Sequence, residues 1–196
     1  NYIQAYAATS KDKTLEKYTS VLRENVEELN GLIQEILDFR KAEDAGFSHT
    51  HIRRVSVSSL LRTQFEWFYP LSEQHQIQFK IDAPKELYWN TDSVYFKKIL
   101  ANLISNAFKY TEDGGTVRIS LHEEENFLVL KVYNTGKGIE EADMQNIFDR
   151  YRILGTMDND DNRQNTTRNG LGLFICHSLV QSLGGKINIE SEVGQY

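Results

Sequence analysis

Apolar positions divide the chain into a long helical arm and a region in which helices and strands alternate. Between Leu15 and about Glu43, apolar side chains recur at alternating spacings of three and four residues, the heptad pattern of a helix that buries one stripe. A single helix is only marginally stable in water, so the stripe needs a partner. We expect it to pair with a second copy in a dimeric helical bundle; the alternative is packing on its own domain. The stripe comprises Leu15, Tyr18, Leu22, Asn25, Leu29, Leu32, Ile36 and Phe39.

The rest of the chain carries the patterns of an α+β layer with about five strands and three or four helices. Helices are predicted from Ser56 or Ser58 to near Tyr69, before Pro70; from an N-cap at Asp92 to about Tyr110; from Glu140 to Phe148; and from Leu171 to Leu183. Strands are predicted at residues 76–81, 87–89, 116–122, 127–133 and 186–190. Two of these strands form a hairpin through residues 123–126. A hinge is predicted at 46–51 and a polar, mobile loop at 150–169.

Composition and charge narrow the classes of function. Of 196 residues, 40% are hydrophobic and 26% are charged, which is typical of a soluble globular protein. The net charge of -6 argues against an extended nucleic-acid surface, because such a surface needs a clustered basic excess. The single cysteine, Cys176, excludes an intrachain disulfide, and its apolar neighbours predict a buried side chain. No apolar run approaches the roughly 18 residues of a membrane span, so any membrane attachment is expected only through segments outside this sequence.

The strongest candidate for chemistry is the predicted helix that ends at Tyr110. Asn102, Asn106 and Lys109 stand at i, i+4 and i+7, so they share one helix face. Amide oxygens suit a hard cation, and an ammonium group suits phosphate. Asn106 is the candidate metal ligand, because Mg²⁺ usually takes one or two protein oxygens together with water and substrate phosphates. Taken alone, these side chains would also fit a solvated helix surface.

Two glycine-rich turns strengthen the case for a nucleotide. Gly136 and Gly138 follow a predicted strand that ends near Asn134, whose amide has the donor and acceptor needed to pair with adenine. Gly170 and Gly172 open a predicted helix, and helix N-termini attract anions. Neither turn is a Walker-type loop, since no Gly-Lys-Ser/Thr follows. Each turn alone also fits a plain structural junction, but together with the polar helix they predict a site for a magnesium nucleotide.

In this order, the motifs resemble the catalytic region of bacterial sensor histidine kinases, within the ATPase group shared with type II topoisomerases, mismatch-repair ATPases and a heat-shock chaperone. The resemblance covers essentially the whole chain. Residues 102–110 resemble the N box, 134–139 the first glycine box, 147–152 the phenylalanine box and 170–173 the second glycine box. The arm, which ends in residues 36–41, resembles the second helix of the dimerisation hairpin. That ending and the aromatic-rich phenylalanine box most resemble the hybrid kinases of gut Bacteroidetes.

The resemblance implies a fold and a set of site residues. The fold would be a two-layer α/β sandwich, with residues 1–46 forming the C-terminal part of the dimerisation hairpin and residues 47–196 the ATP-binding domain. Asn106 would bind Mg²⁺, Asn102, Lys109 and Arg152 would lie near the phosphates, and residues 151–169 would form an ATP lid. The implied ATP-binding residues are Asn102, Asn106, Lys109, Tyr110, Asn134, Gly136, Gly138, Ile139, Arg152, Gly170, Leu171, Gly172 and Leu173.

Three departures from the family pattern bear on function. Asn134 stands where the first glycine box usually has Asp, and a neutral acceptor is weaker by about 1 kcal/mol, which predicts several-fold weaker ATP binding. Arg168 stands where the second glycine box usually has a further glycine, with an open effect. Thirdly, no histidine of this sequence lies in a phospho-acceptor motif. The histidines are His49, His51, His75, His122 and His177.

These observations predict the catalytic core of a protein-histidine kinase that uses ATP and Mg²⁺. It would transfer the γ-phosphoryl group to a histidine on a helix absent from this sequence, for relay to a response-regulator receiver domain in the same or another chain. The resemblance further implies a homodimer and the cytoplasmic portion of an inner-membrane-anchored sensor. The alternative is a non-catalytic signalling module in which Asn134 and Arg168 mark a decayed pocket. An ATP-driven clamp is disfavoured, because no carboxylate lies between Asn102 and Tyr110 to activate water.

Overall fold

The computed structural model describes Val26, residues 50–149 and residues 171–194. Over these residues, five strands and four helices follow one another along the chain. Their bounds are β1 Arg53–Ser56, α1 Val57–Gln74, β2 Gln78–Asp82, β3 Tyr88–Thr91, α2 Ser93–Tyr110, β4 Thr116–Glu124, β5 Phe127–Asn134, α3 Glu141–Met144 and α4 Gly172–Ser182. The predicted arm lies outside the described residues apart from the helical Val26, as do the predicted loop at 150–169, Arg152 and Gly170.

β2, β4 and β5 form a three-stranded sheet with β4 at its centre. β2 runs parallel to β4, with Phe79 opposite Val117, and β5 runs antiparallel to β4, with Asn134 opposite Val117. The turn between β4 and β5 places Glu125 and Asn126 at φ values of 46° and 72°. Two successive residues with positive φ match the twist of a tight two-residue hairpin turn. The predicted hairpin is confirmed, with a shorter connection than expected because β4 continues to Glu124.

A second sheet, of two strands, lies at the start of α1. β1 pairs antiparallel with β3, and it was not predicted because two of its four residues are arginines. Ser56 occupies the N-cap of α1, but its side chain makes no capping hydrogen bond. Instead, the carbonyl of Leu87 accepts from the N–H of Val57 at 2.9 Å, and the Leu87 N–H donates to Ser58 Oγ at 3.0 Å. The residue before β3 therefore caps the helix through its backbone.

The helices cover one face of the three-stranded sheet. Along β4, Val117, Ile119 and Leu121 are fully buried whereas Arg118 is exposed, as period-two alternation predicts for a half-buried strand. The helices contribute to this core Val57, Leu61, Phe96, Leu100, Ile104, Ala107 and Phe108. A second cluster joins α2 to α4 and contains Ile99, Leu171, Ile175 and Leu179. This is the expected two-layer α/β arrangement. It packs α2 against the sheet through the first cluster and against α4 through the second.

Cys176 lies at the junction of α4 and α2, where it is fully buried, as the sequence predicted. Its Sγ lies 3.9 Å from the carbonyl oxygen of Ile99. Burial raises the pKa of this thiol to about 12, because the low-polarity surroundings disfavour the thiolate. The side chain therefore acts as packing between the two helices.

The sequence predicted that α1 ends before Pro70, but the helix continues to Gln74. A proline inside a helix removes one N–H donor and crowds the carbonyl one turn earlier. Here the following turn is anchored, since Ser72 is 3% exposed and its Oγ donates to the carbonyl of Tyr69 at 2.6 Å. The N–H of the buried Ile77 then donates to the Ser72 carbonyl at 2.9 Å. Burial of this corner outweighs the local preference of proline.

The prediction of a strand at 186–190 is wrong. In the described part of the chain, residues 185–192 are neither helical nor stranded. Ile187 and Ile189 are half-buried, and the residues beside them are more exposed. Alternation therefore identified the covered side chains correctly. Whether the backbone meets a partner strand depends on tertiary position, which alternation does not report. The fifth strand of the fold is β1 instead.

Candidate functional site

The predicted polar edge of α2 is present. Asn102, Asn106 and Lys109 lie on this helix and are half-buried, whereas Ser105, just before Asn106, is exposed. The Lys109 ammonium lies 5.9 Å from the centre of the Tyr110 ring, within the range of a cation–π contact. Two amides, an ammonium group and an aromatic ring thus share the C-terminal half of one helix.

Asp92 fixes the start of this helix. Its carboxylate accepts hydrogen bonds from the N–H groups of Val94 at 2.8 Å, Tyr95 at 3.1 Å and His51 at 2.8 Å. Burial acts to raise the pKa of the Asp92 carboxyl, but the hydrogen bonds from the His51, Tyr95 and Val94 N–H groups outweigh it and lower the pKa below its usual value. The N-cap that the sequence predicted is confirmed, and it carries a negative charge at neutral pH.

The second glycine turn lies against the polar edge of α2. A Cβ placed on Gly172, the first residue of α4, would lie 3.5 Å from Oδ1 of Asn102 and 3.8 Å from Nδ2 of Asn106. The preceding Leu171 is 3% exposed and packs with Ile99 of α2. Burial of Leu171 therefore holds the start of α4 beside the two amides.

The first glycine turn lies at the C-terminal end of α2. A Cβ on Gly136 would lie 2.5 Å from the carbonyl oxygen of Tyr110, so only glycine fits without a backbone shift. The turn is also tied to β4, because Thr135 N–H donates to the Thr116 carbonyl at 3.0 Å and Thr116 N–H donates to Thr135 Oγ1 at 2.9 Å. From Asn102 to Tyr110 the helix rises about 12 Å, which separates the two turns.

Asn134, the last residue of β5, is half-buried beside the first glycine turn. Its Nδ2 donates a hydrogen bond to the carbonyl of Thr135 at 3.2 Å. This bond orients the amide, so that Oδ1 is the atom turned away from that carbonyl. The orientation suits a side chain that accepts a hydrogen bond from a ligand.

Two contacts around the site were not predicted. The ring of Phe148, which follows α3, stacks on His177 of α4 with centroids 5.3 Å apart. The N–H of Ile139 donates to Ser191 Oγ at 2.8 Å. A glycine at 138 allows the φ of +73° found there and also a close backbone neighbour. Nothing in the sequence indicated that residues 52 positions away supply that neighbour.

The predicted site residues therefore fall into two groups along α2. Asn102 and Asn106 face Gly172, and Tyr110 faces Gly136. Arg152 and Gly170 lie outside the described residues. Within the described ranges, no three His, Cys, Asp or Glu side chains are grouped so as to hold a metal ion.

Fold and site together define an α/β nucleotide-binding domain. The family model of histidine kinase-, DNA gyrase B- and HSP90-like ATPases matches residues 91–196, more than half of the chain, and the chain belongs to this family. The predicted resemblance is thereby confirmed. The match covers α2, both glycine turns and α4, so every described residue of the candidate site lies inside it.

A curated relative and two solved structures agree with this assignment. Sensor protein IrlS of Burkholderia pseudomallei is 28% identical over 194 residues, which are 96% of this chain but 40% of IrlS. Full-length ShkA in complex with AMPPNP matches with a TM-score of 0.75 at 23% identity, over 96% of this chain and 38% of ShkA. Histidine kinase ThkA in complex with response regulator protein TrrA matches with a TM-score of 0.69 at 21% identity, over 99% of this chain and 54% of the solved chain.

The chain thus spans less than half the length of the curated relative it matches. The kinase hypothesis is better supported than the non-catalytic alternative, because the chain belongs to an ATPase family, its curated relative is a sensor protein, and its fold is that of a histidine kinase catalytic domain. Among residues 50–149 and 171–194, no helix is long and apolar enough to cross a membrane.

Proposed function

We propose that this chain is the ATP-binding catalytic core of a two-component sensor histidine kinase. The observation that carries the proposal is the placement of α2, which meets Gly172 at its two amide side chains and Gly136 at its last backbone carbonyl. A helix N-terminus with exposed N–H groups favours phosphate. The glycine at 136 lets the turn pack directly on the last carbonyl of α2, which holds Asn134 beside the end of that helix. The arrangement fits a nucleotide laid along α2, with its phosphates near α4 and its base near β5.

Each end of the site then has its own task. Asn102 and Asn106 lie beside the start of α4, at the phosphate end, and Lys109 adds a positive charge on the same edge. Tyr110 and Asn134 lie at the nucleoside end, where Asn134 accepts from the adenine amino group. The resemblance adds to the ATP-binding residues Gly136, Gly138, Ile139, Leu171, Gly172 and Leu173, together with Arg152 and Gly170, which lie outside the described residues.

A magnesium ion fits this set of side chains. Asn106 is a neutral oxygen donor, next to the helix start that receives phosphate. With no carboxylate on the polar edge, the full charge of the ion remains for the phosphates, and Mg²⁺ often keeps one or two protein ligands with water and phosphates. When bound, the ion would neutralise charge that develops on the transferring phosphoryl group.

The reaction requires positioning more than acid–base chemistry. An imidazole nitrogen of the acceptor histidine attacks the γ-phosphorus, the N–P bond forms, and the bond to the β,γ-bridging oxygen breaks to release ADP. Asn102 and Lys109 hold the phosphates in line without abstracting a proton. We place the acceptor histidine outside these 196 residues, since none of the five histidines lies in an acceptor motif.

The partners and location are part of the same proposal. The heptad seam of the arm favours a homodimer, and the boundary between residues 1–46 and 47–196 follows from where that seam ends. The phosphoryl group would pass to a receiver domain, in line with the ThkA complex with its response regulator. The module would work on the cytoplasmic side of an inner-membrane sensor whose membrane segments lie elsewhere.

Titration with a fluorescent ATP analogue, with and without Mg²⁺, tests binding. We expect saturable binding below millimolar concentration that tightens with Mg²⁺ and is displaced by ATP. Incubation with γ-labelled ATP tests transfer: the full-length protein should acquire acid-labile phosphate, and the 196-residue chain should not. Absence of saturable binding would favour the non-catalytic signalling module. Stable acid-labile label on the 196-residue chain would contradict the placement of the acceptor.

A further inference from the structure

Residues 191–194, which we call the strap, cross the first glycine turn. Ser191 Oγ accepts a hydrogen bond from the Ile139 N–H at 2.8 Å, and the Gly194 N–H donates to the carbonyl of Lys137 at 2.9 Å. Two hydrogen bonds of ordinary length therefore join the strap to successive parts of one turn. One of them uses a side chain, so it can be removed without altering the backbone.

The strap also fixes the shape of the turn sterically. Gly138 has a φ of +73°, and a Cβ there would lie 2.5 Å from the carbonyl oxygen of Glu192 and 2.7 Å from Cα of Val193. The backbone of the strap thus fills the space that a side chain at 138 would need. Only a glycine accepts both this conformation and this neighbour at little cost.

Polar contacts hold the strap on the turn. Val193 is 65% exposed and Glu192 is exposed as well, so these two side chains bury little apolar surface there. Ser191 is half-buried, as is Ile139, its hydrogen-bond donor. Loss of the hydroxyl would leave the Ile139 N–H without this acceptor, and a poorly satisfied backbone donor favours movement of the chain toward water.

The opposite side of the same turn faces the site. Gly136 contacts the Tyr110 carbonyl, and Asn134 precedes the turn at the end of β5. The turn is therefore held between α2 and the strap. Asn134 and Thr135 stay tied to β4, so loss of the strap contact frees the part of the turn beyond Thr135, and Ile139 moves with it.

We propose that Ser191 is a positioning residue for the nucleotide: its hydroxyl fixes the Gly136–Ile139 turn in the conformation that receives the nucleoside end of ATP. This inference rests on the proposed function and deepens it, because it names a residue outside the site that sets affinity. Ser191 acts through the Ile139 N–H, to which its hydroxyl is hydrogen-bonded.

The test compares variants of the 196-residue chain in two measurements. Hydrogen exchange of the backbone amides at 136–139 is followed without nucleotide, and the dissociation constant for magnesium-ATP is measured by titration. We expect Ser191→Ala to speed exchange at Ile139 and to weaken ATP binding by roughly five- to tenfold, the scale of one lost hydrogen bond. Ser191→Thr keeps the hydroxyl and should restore both values, and Ser191→Cys, a weaker acceptor of similar size, should fall between.

Ser182→Ala is the matched control. Ser182 is half-buried and its Oγ donates to the Ser178 carbonyl at 2.8 Å, but it contacts none of the turn residues. We expect it to change neither measurement. Should Ser191→Ala fail to fold, Ser191→Cys and Ser191→Thr still give a graded comparison.

The outcomes separate this inference from the proposed function. A wild-type chain that binds no ATP would overturn the function, and the inference with it. A wild-type chain that binds ATP, with Ser191→Ala binding equally well or exchanging no faster at Ile139, would overturn the inference alone. Loss of affinity in Ser182→Ala to the same extent would also overturn it, because the effect would then be a general loss of stability.

Discussion

Gly172 presents its bare Cα to the side chain of Asn102, so that a methyl group there would lie 3.5 Å from Asn102 Oδ1. That separation is an ordinary van der Waals contact, and a nearby amide nitrogen, Nδ2 of Asn106, would be 3.8 Å away. The fold therefore has room for an alanine at 172. A phosphate that approaches the start of α4 beside the two amides would meet that methyl group.

Gly172→Ala should leave folding intact and weaken nucleotide binding. Alanine is a better helix former than glycine, so stability should stay equal or rise by less than about 1 kcal/mol. The added methyl group should displace the phosphates and raise the dissociation constant for magnesium-ATP about tenfold, or ~1.4 kcal/mol. Urea unfolding and nucleotide titration measure the two effects separately.

Gly136→Ala is the informative contrast. Its Cβ would lie 2.5 Å from the Tyr110 carbonyl, a backbone atom that cannot swing aside, so both stability and binding should fall. Unchanged binding in Gly172→Ala would mean that the nucleotide does not pass over the start of α4.

Asn106→Ala should remove the magnesium dependence of ATP binding. The amide oxygen is the one protein ligand that we assign to the ion, and alanine offers none. We expect ATP titrations with and without Mg²⁺ to give similar dissociation constants in this variant, against a difference of about tenfold in the wild type. Ser105→Ala, at the exposed neighbouring position, serves as the control and should keep the wild-type response. If Asn106→Ala retained that response, Asn106 would not be the ligand.

Sequence patterns predicted the fold best where local and tertiary demands agree. The N-cap at Asp92, the extent of α2 to Tyr110 and the β4–β5 hairpin depend on capping, periodicity and turn chemistry, all of which are local. Pro70 failed as a stop signal because the buried Ser72 anchors the next turn. No local rule reports such an anchor.

Prediction of the site has the same limit, because local patterns do not report tertiary contacts. Spacing alone placed Asn102, Asn106 and Lys109 on one edge, and glycine content indicated where a close approach was needed. What approaches each glycine is decided by the tertiary fold: the Tyr110 carbonyl at Gly136 and the strap at Gly138. Ser191 carried no motif, so its contact with Ile139 was visible only once the chain was folded.

Asp92 should make the stability of the domain depend on pH. The folded state lowers the pKa of this carboxyl from its ordinary 3.8. The stabilisation it gives is therefore complete above that value and is lost as the pH falls through the lower folded-state pKa. Replacing an N-cap by alanine costs typically ~1 kcal/mol, and we expect Asp92→Ala to show this loss in urea unfolding at pH 7 and a smaller loss at pH 3.

The control for that measurement is Asp82→Ala at the exposed end of β2, which should change stability little at either pH. If the cost of Asp92→Ala were equal at pH 7 and pH 3, the charge of the cap would not be what stabilises α2.

Asn134 sets up a test of how the base is recognised. Its Nδ2 donates to the Thr135 carbonyl at 3.2 Å, which leaves Oδ1 as the acceptor for an adenine amino group. Asn134→Asp replaces that acceptor by a charged one, worth about 1 kcal/mol more. It also sets a carboxylate oxygen against the Thr135 carbonyl, so part of the gain is offset. We expect ATP to bind a few-fold more tightly and GTP, which lacks the amino group at that position, to gain nothing.

Competition titrations with ATP and GTP decide the point. Asn126→Asp adds the same charge in the exposed β4–β5 turn and should alter neither affinity. Parallel gains for ATP and GTP in Asn134→Asp would mean that the new charge acts at long range and that Asn134 does not contact the adenine amino group. A gain for ATP alone would indicate that the neutral residue at 134 makes this chain a weaker ATP binder than a relative with Asp there, through the strength of a single hydrogen bond.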